Sequence, residues 1–118
     1  AIVIVDSKVL VMGATFKENC PDTRNSKVLT LVDELKGNGM SVEIYDPYVK
    51  PETFSGDNNK YSFINVPKES YYDAVVIAVA HIAFVDLGIQ SIKRFGKSYA
   101  KIFDIKSLFP KSETDFRL

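Results

Sequence analysis

Val9-Leu10-Val11-Met12-Gly13 is the stretch on which the fold turns. Four apolar residues in an unbroken run, closed by a glycine, read as a strand buried on both faces, because a half-buried strand would alternate. Downstream, Val28, Leu31, Val32 and Leu35 recur at the i, i+3, i+4, i+7 positions of a helix that faces a core. Asn25 or Ser26 suits its N-cap, and Gly37 and Gly39 mark its stop. Val42-Glu43-Ile44-Tyr45 makes a second strand, ended by Asp46-Pro47. Strand, helix and strand in this order form the unit of a parallel sheet.

The same pattern continues outward. Residues 47–60 hold Pro47, Pro51, Gly56 and Asp57-Asn58-Asn59, a surface loop with room for one helical turn. Tyr61 to Val66 reads as a short strand and Ala74 to Val79 as a central one. Phe84, Leu87, Ile92 and Phe95 share a helical face, which predicts one helix over 83–95, stopped at Gly96. Lys101 to Ile105 is the last predicted strand, and the residues after Pro110 form a polar tail. The expectation is an α/β fold, a mainly parallel sheet covered on both faces, in one domain over 1–118. Residues 1–7 lead in, 8–110 form the core and 111–118 the tail. The apolar start, with no entry signal, suggests a chain cut from something longer.

Composition narrows the function. The chain has 118 residues, 46% apolar and 25% charged, with 15 basic and 15 acidic side chains. Zero net charge argues against nucleic acid as a partner, because that affinity relies on clustered cations. No apolar run is long enough to span a membrane, and Ala1-Ile2-Val3-Ile4-Val5 lacks the basic flank of a signal peptide. The single Cys20 cannot form an internal disulfide, which fits a reducing cytoplasm. With one His and one Cys, no protein-held metal site is expected.

In a parallel sheet, ligands bind beyond the carboxyl ends of the strands. That points to residues 13–26, longer than the roughly 2–6 residues of an ordinary strand-to-helix loop. A dinucleotide fingerprint fails there. After Gly13 the next glycine is Gly37, so G-x-G-x-x-G is missing, and Asp46 reads as a strand-ending turn residue. Lys17 and Arg24 are the loop's cations, and Arg24 falls at the helix start, where free N–H groups favour anions by about 0.3–1 kcal/mol. They suit phosphate and equally suit a solvated surface. Asp22 either orients Arg24 or caps the helix. Cys20 lacks an indicated general base, so no nucleophilic role is assigned to it. His81 follows the central strand and reads as a helix-entry hydrogen-bonder before it reads as a catalyst. Lys106 follows the last strand, placed to close the site from its other side or to lie in solvent.

The stretch Lys8 to Ser26, with Gly13-Ala14-Thr15-Phe16-Lys17, Asp22-Thr23-Arg24 and Ser26, resembles the C-terminal domain of the UDP-glucose/GDP-mannose dehydrogenase family. Tyr45-Asp46-Pro47, Ala78-Val79-Ala80-His81 with Phe84, and Phe103-Asp104 match its later motifs in the same order. The wording Lys17-Glu18-Asn19-Cys20-Pro21-Asp22 is most similar to the bacterial branch acting on UDP-N-acetylhexosamines for capsule or Vi-type polysaccharide.

The resemblance implies a Rossmann-like three-layer sandwich that holds the UDP-sugar. It implies oxidation of the sugar C6 alcohol to a carboxylate with NAD, in the cytoplasm. Phe16 and Lys17 would contact the sugar nucleotide, and Arg24 would reach NAD held by an N-terminal domain. A central domain would carry the contacts of a homodimer or higher oligomer. The family's arginine two residues beyond the last strand's aspartate is Lys106 here, a cation without the bidentate fork. Cys20 does not match the segment of the family's nucleophilic cysteine, so no catalytic residue is assigned in this chain. A non-catalytic Rossmann-like regulatory or interaction module is the alternative reading.

Overall fold

The computed structural model describes residues 6–15, 23, 26–54 and 60–117. Its elements run β1 (Lys8–Met12), α1 (Lys27–Gly37), β2 (Ser41–Tyr45), a 3-10 turn (Pro51–Thr53) and β3 (Ser62–Ile64). There follow β4 (Tyr72–Ile77), α2 (Ile82–Leu87), α3 (Ile89–Phe95), β5 (Gly96–Asp104), a second 3-10 turn (Lys111–Glu113) and β6 (Phe116–Arg117). The six strands form one sheet in the order β3-β2-β1-β4-β5-β6, with every neighbouring pair parallel. This is the α/β three-layer sandwich expected.

The continuous apolar run of β1 has its reason in this order. β1 lies between β2 and β4, and alternate side chains enter different cores. Leu10 and Met12 join Tyr72, Val75, Ile77 and Ile102 beneath Phe84 of α2 and Ile92 of α3. Val9 and Val11 join Val42, Ile44 and Val76 beneath Val32 of α1. Each fully buried side chain of this size contributes about 1.5–3 kcal/mol. Between α1 and the β4–β5 half of the sheet runs an apolar groove of about 390 Å³, lined by Leu31, Leu35, Met40, Val76, Phe103 and Ile105.

Three elements differ from the expectations. The single helix over 83–95 is two helices, broken at Gly88, whose φ of +88° and ψ of 148° cannot continue an α-helix. Phe84 and Ile92 still enter one core from the two pieces. β5 begins at Gly96, well before Lys101. Tyr72 pairs with Gly96 and Ala74 with Lys101, so residues 97–100 bulge out of the ladder. The polar tail is also part of the sheet. The Asp115 N–H donates to the Ile102 carbonyl, its carboxylate accepts from the Ile102 N–H at 2.8 Å, and Phe116 stacks on Phe103 at 4.7 Å.

The amino edge of the sheet is held by charged and aromatic side chains. Asp73 accepts from the Lys8 N–H, from Lys97 Nζ and from the Tyr99 hydroxyl. Tyr72 donates its hydroxyl to Glu43 at 2.6 Å, and burial, followed by this bond, raises its pKa.

Candidate functional site at the carboxyl edge

The order of the strands reverses between β1 and β4, so the crevice of a doubly wound sheet lies where these two strands end. Backbone ladder bonds run past the strands and pin the loops there. The Gly13 N–H donates to the Tyr45 carbonyl at 2.9 Å, the Ala78 N–H to Met12 at 2.9 Å, and the Ile105 N–H to Ile77 at 3.1 Å.

Asp46 is the hub of this edge. It is buried, with 3% of its surface exposed. Oδ2 accepts from the Ala14 N–H at 2.8 Å and lies 2.9 Å from His81 Nε2. Oδ1 accepts from the Tyr48 N–H at 2.8 Å, and the Val49 N–H donates to the Asp46 carbonyl at 3.0 Å. Asp46 is therefore the turn residue that Asp46-Pro47 suggested, and it also ties three strand ends together. Both carboxylate oxygens already face backbone donors, so the proton between Asp46 and His81 sits on Nε2.

His81 is fully buried at the N-cap of α2. Its carbonyl accepts from the Phe84 N–H, as a helix entry requires. Its ring, however, points to Asp46 and lies 3.2 Å from the Thr15 hydroxyl, packed against Tyr48 and Phe84 at 4.7 and 5.2 Å between ring centres. Thr15 and Tyr48 were not singled out in the sequence; the long separations of Thr15 from His81 and of Asp46 from His81 leave no local pattern. Asp104 closes the neighbouring strand end. It is fully buried, and its two oxygens accept from the Leu108 and Phe109 N–H groups at 2.9 and 2.8 Å.

Gly13 makes the turn out of β1 possible. Its φ is +98°, and a Cβ there would lie 2.6 Å from Val79 Cβ. Among the described residues this edge offers no dinucleotide cradle. A pyrophosphate cradle needs free N–H groups in the first turn, and Ala14 gives its own to Asp46. The acidic residue that would take a ribose hydroxyl, Asp46, is buried among protein donors.

Lys106 stands exposed in the turn after β5, on the same edge. Phe16, Lys17, Cys20, Asp22 and Arg24 lie outside the described residues. The residues flanking them are fixed: Thr15 is buried against His81, and Ser26 is the N-cap of α1. The Ser26 hydroxyl is buried and finds no partner among the described residues, and no side chain caps the helix there. Among the described residues no three His, Cys, Asp or Glu side chains converge on a metal position, and no helix is long and apolar enough to cross a membrane.

Comparison with known proteins gives the family of the chain. Residues 10–111 match the sequence profile of the UDP-glucose/GDP-mannose dehydrogenase family, UDP binding domain. The chain is 40% identical over 114 residues to a UDP-N-acetyl-D-glucosamine 6-dehydrogenase of Salmonella typhi, covering 95% of this chain and 26% of that protein. It is 38% identical, over the same shares, to a UDP-N-acetyl-D-glucosamine 6-dehydrogenase of Pseudomonas aeruginosa. The structure of a UDP-D-ManNAc dehydrogenase from Pyrococcus horikoshii superposes with a TM-score of 0.69 at 27% identity, over 93% of this chain and 24% of that one. The chain thus spans about a quarter of the length of the relatives it matches. With the profile running from within β1 to beyond β5 and identity this high across the fold, the chain belongs to the UDP-glucose/GDP-mannose dehydrogenase family, as its UDP binding domain.

Proposed function

We propose that this chain holds the nucleotide-sugar of an NAD-dependent dehydrogenase that oxidises C6 of a UDP-N-acetylhexosamine to the uronic acid. The observation that carries this reading is the bond from the Ala14 N–H to Asp46. It engages the Ala14 N–H that a dinucleotide cradle would use at this turn, and the reading gives ligand contact instead to Phe16 and Lys17 of the following loop. In this reading Phe16, Lys17 and Lys106 contact the UDP-sugar. Arg24 reaches toward NAD, which another domain of the enzyme holds. The enzyme works in the cytoplasm as a homodimer or higher oligomer through its central domain, and its uronic acid enters surface polysaccharide. The relatives named for UDP-N-acetyl-D-glucosamine support that sugar as the first to test.

Two measurements test the reading. UDP titrated into the isotope-labelled chain is expected to shift the amides of Lys17 and Arg24, and the chain alone is expected to form no NADH from UDP-N-acetylglucosamine. In the full-length dehydrogenase, Lys17→Ala is expected to lower kcat/KM more than tenfold, because truncating one partner of a buried charged contact costs about 2–5 kcal/mol. An unchanged kcat/KM removes Lys17 from the site. A chain that does not bind UDP is instead an interaction module on the same fold.

A further inference from the structure

Three consecutive residues at the exit of β1 are held by the ends of the two neighbouring strands, β2 and β4. Gly13 is held by the carbonyl of Tyr45, the last residue of β2, Ala14 by the carboxylate of Asp46 just beyond it, and Thr15 lies against His81 after β4. The next two residues in the chain are Phe16 and Lys17. An apolar pair of the same volume would fill the space of Asp46 and His81 without desolvating an ionisable pair, so bulk packing does not explain why this position is polar. What a carboxylate and an imidazole supply, and an apolar pair does not, is direction. The acceptor at Asp46 turns the Ala14 N–H sideways off the ladder, and the Nε2–H keeps that acceptor in place.

We propose that Asp46 and His81 are positioning residues for nucleotide-sugar binding. The buried pair fixes the direction in which Gly13, Ala14 and Thr15 leave β1, ahead of the residues to which the proposed function gives ligand contact. The identity of the ligand rests on the function proposed above. Asn at position 46 tests the chemistry, because either orientation of its amide sets an NH2 donor against a backbone N–H. With the NH2 at the Oδ2 position it faces Ala14, and with the NH2 at the Oδ1 position it faces Tyr48. At position 81, Gln retains an N–H donor for Asp46 and Leu retains only the bulk.

The test is UDP affinity of the whole chain by calorimetry, with fold integrity read from the dispersion of the amide spectrum. Asp46→Asn and His81→Leu are expected to stay folded and to bind UDP about tenfold or more weakly, the scale of one charge-assisted hydrogen bond. His81→Gln is expected to recover most of the affinity. A purely architectural pair would change unfolding midpoints and leave the UDP affinity of the folded variants where it was. Folded Asp46→Asn and His81→Leu that bind UDP like the wild type overturn the proposal while leaving the UDP reading intact. A wild-type chain that does not bind UDP overturns that reading and this proposal with it. If the variants do not fold, hydrogen exchange at Ala14 in the wild type decides. Exchange slowed by saturating UDP supports the proposal, and an unchanged rate refutes it.

Discussion

Replacing Gly13 with alanine puts one methyl group where the structure has no room for it. The new Cβ would lie 2.6 Å from Val79 Cβ, 2.8 Å from Val79 Cγ2 and 3.0 Å from the Val79 nitrogen. The residue would also keep a φ of +98°, where an L side chain is strained by about 1–2 kcal/mol. Forcing an extra carbon into a packed site adds about 1–3 kcal/mol. The expected loss is therefore about 2–5 kcal/mol. Against a total near 5–15 kcal/mol this leaves a folded but weakened protein. Urea unfolding followed by circular dichroism reads it as a midpoint lowered by about 1–3 M at an unchanged slope. The partner atom makes the reasoning sharper. Because the tightest contact is to Val79 Cβ, a Val79→Ala background keeps it, removes only the Cγ2 contact and gives at most partial rescue. A Val79→Gly background removes both side-chain contacts and leaves the backbone strain. A loss under about 1 kcal/mol in Gly13→Ala, within the range of ordinary surface substitutions, would refute the steric argument. So would full rescue by Val79→Ala.

Three further outcomes follow from the geometry. Ser26→Ala is expected to change stability by less than about 0.5 kcal/mol, against about 1 kcal/mol for a working N-cap, because the hydroxyl makes no bond among the described residues. A larger loss in chemical denaturation would show that the serine does cap α1. Asp104→Ala leaves the Leu108 and Phe109 N–H groups without their acceptor, at about 1–3 kcal/mol for each donor. A thermal midpoint equal to the wild type counts against that. The Asp73 carboxyl is held below its ordinary pKa, first by the Lys8 N–H and then, against its burial, by Tyr99 and Lys97. Its contribution to stability is present above the unfolded value of about 3.9 and is lost as the pH falls through the lower folded value. Asp73→Asn is expected to flatten the acid limb of stability against pH, and an acid limb as steep as that of the wild type speaks against it.

The parallel α/β character of the sheet was legible because β1, α1, β2 and β4 each carry a pattern that their burial requires. A strand in the middle of a parallel sheet must be apolar on both faces, and Val9-Leu10-Val11-Met12 is. The break at Gly88 was not legible, because Phe84 and Ile92 keep a helical spacing across it and bury in one core. Lys97-Ser98-Tyr99-Ala100 reads as loop because those residues bulge from the ladder they belong to. Asp115-Phe116-Arg117 has too few residues to show a period, and its place is set by the Asp115 bonds to Ile102. At the candidate site, Asp46 and His81 were individually visible at strand ends, and their pairing was not. Contacts between distant residues follow from strand order, which no local pattern encodes. Lys106 lies on the expected edge, while Phe16, Lys17 and Arg24 remain assignments from sequence.

The bulge and the two-residue length of β6 have a consequence for how this protein meets other copies of itself. β6 covers β5 only at Phe103 and Asp104, although β5 runs back to Gly96. A flat exposed strand edge is a template for pairing with a second chain, and bulges and lysines are the usual protections. Here the bulge over 97–100 spoils the flatness, and Lys97 and Lys101 place charge along it. The irregularity that obscured β5 in the sequence thus works as a guard against fibril-like association. Smoothing it into a regular apolar strand would strengthen the ladder and leave a flat edge open to pairing with a second copy.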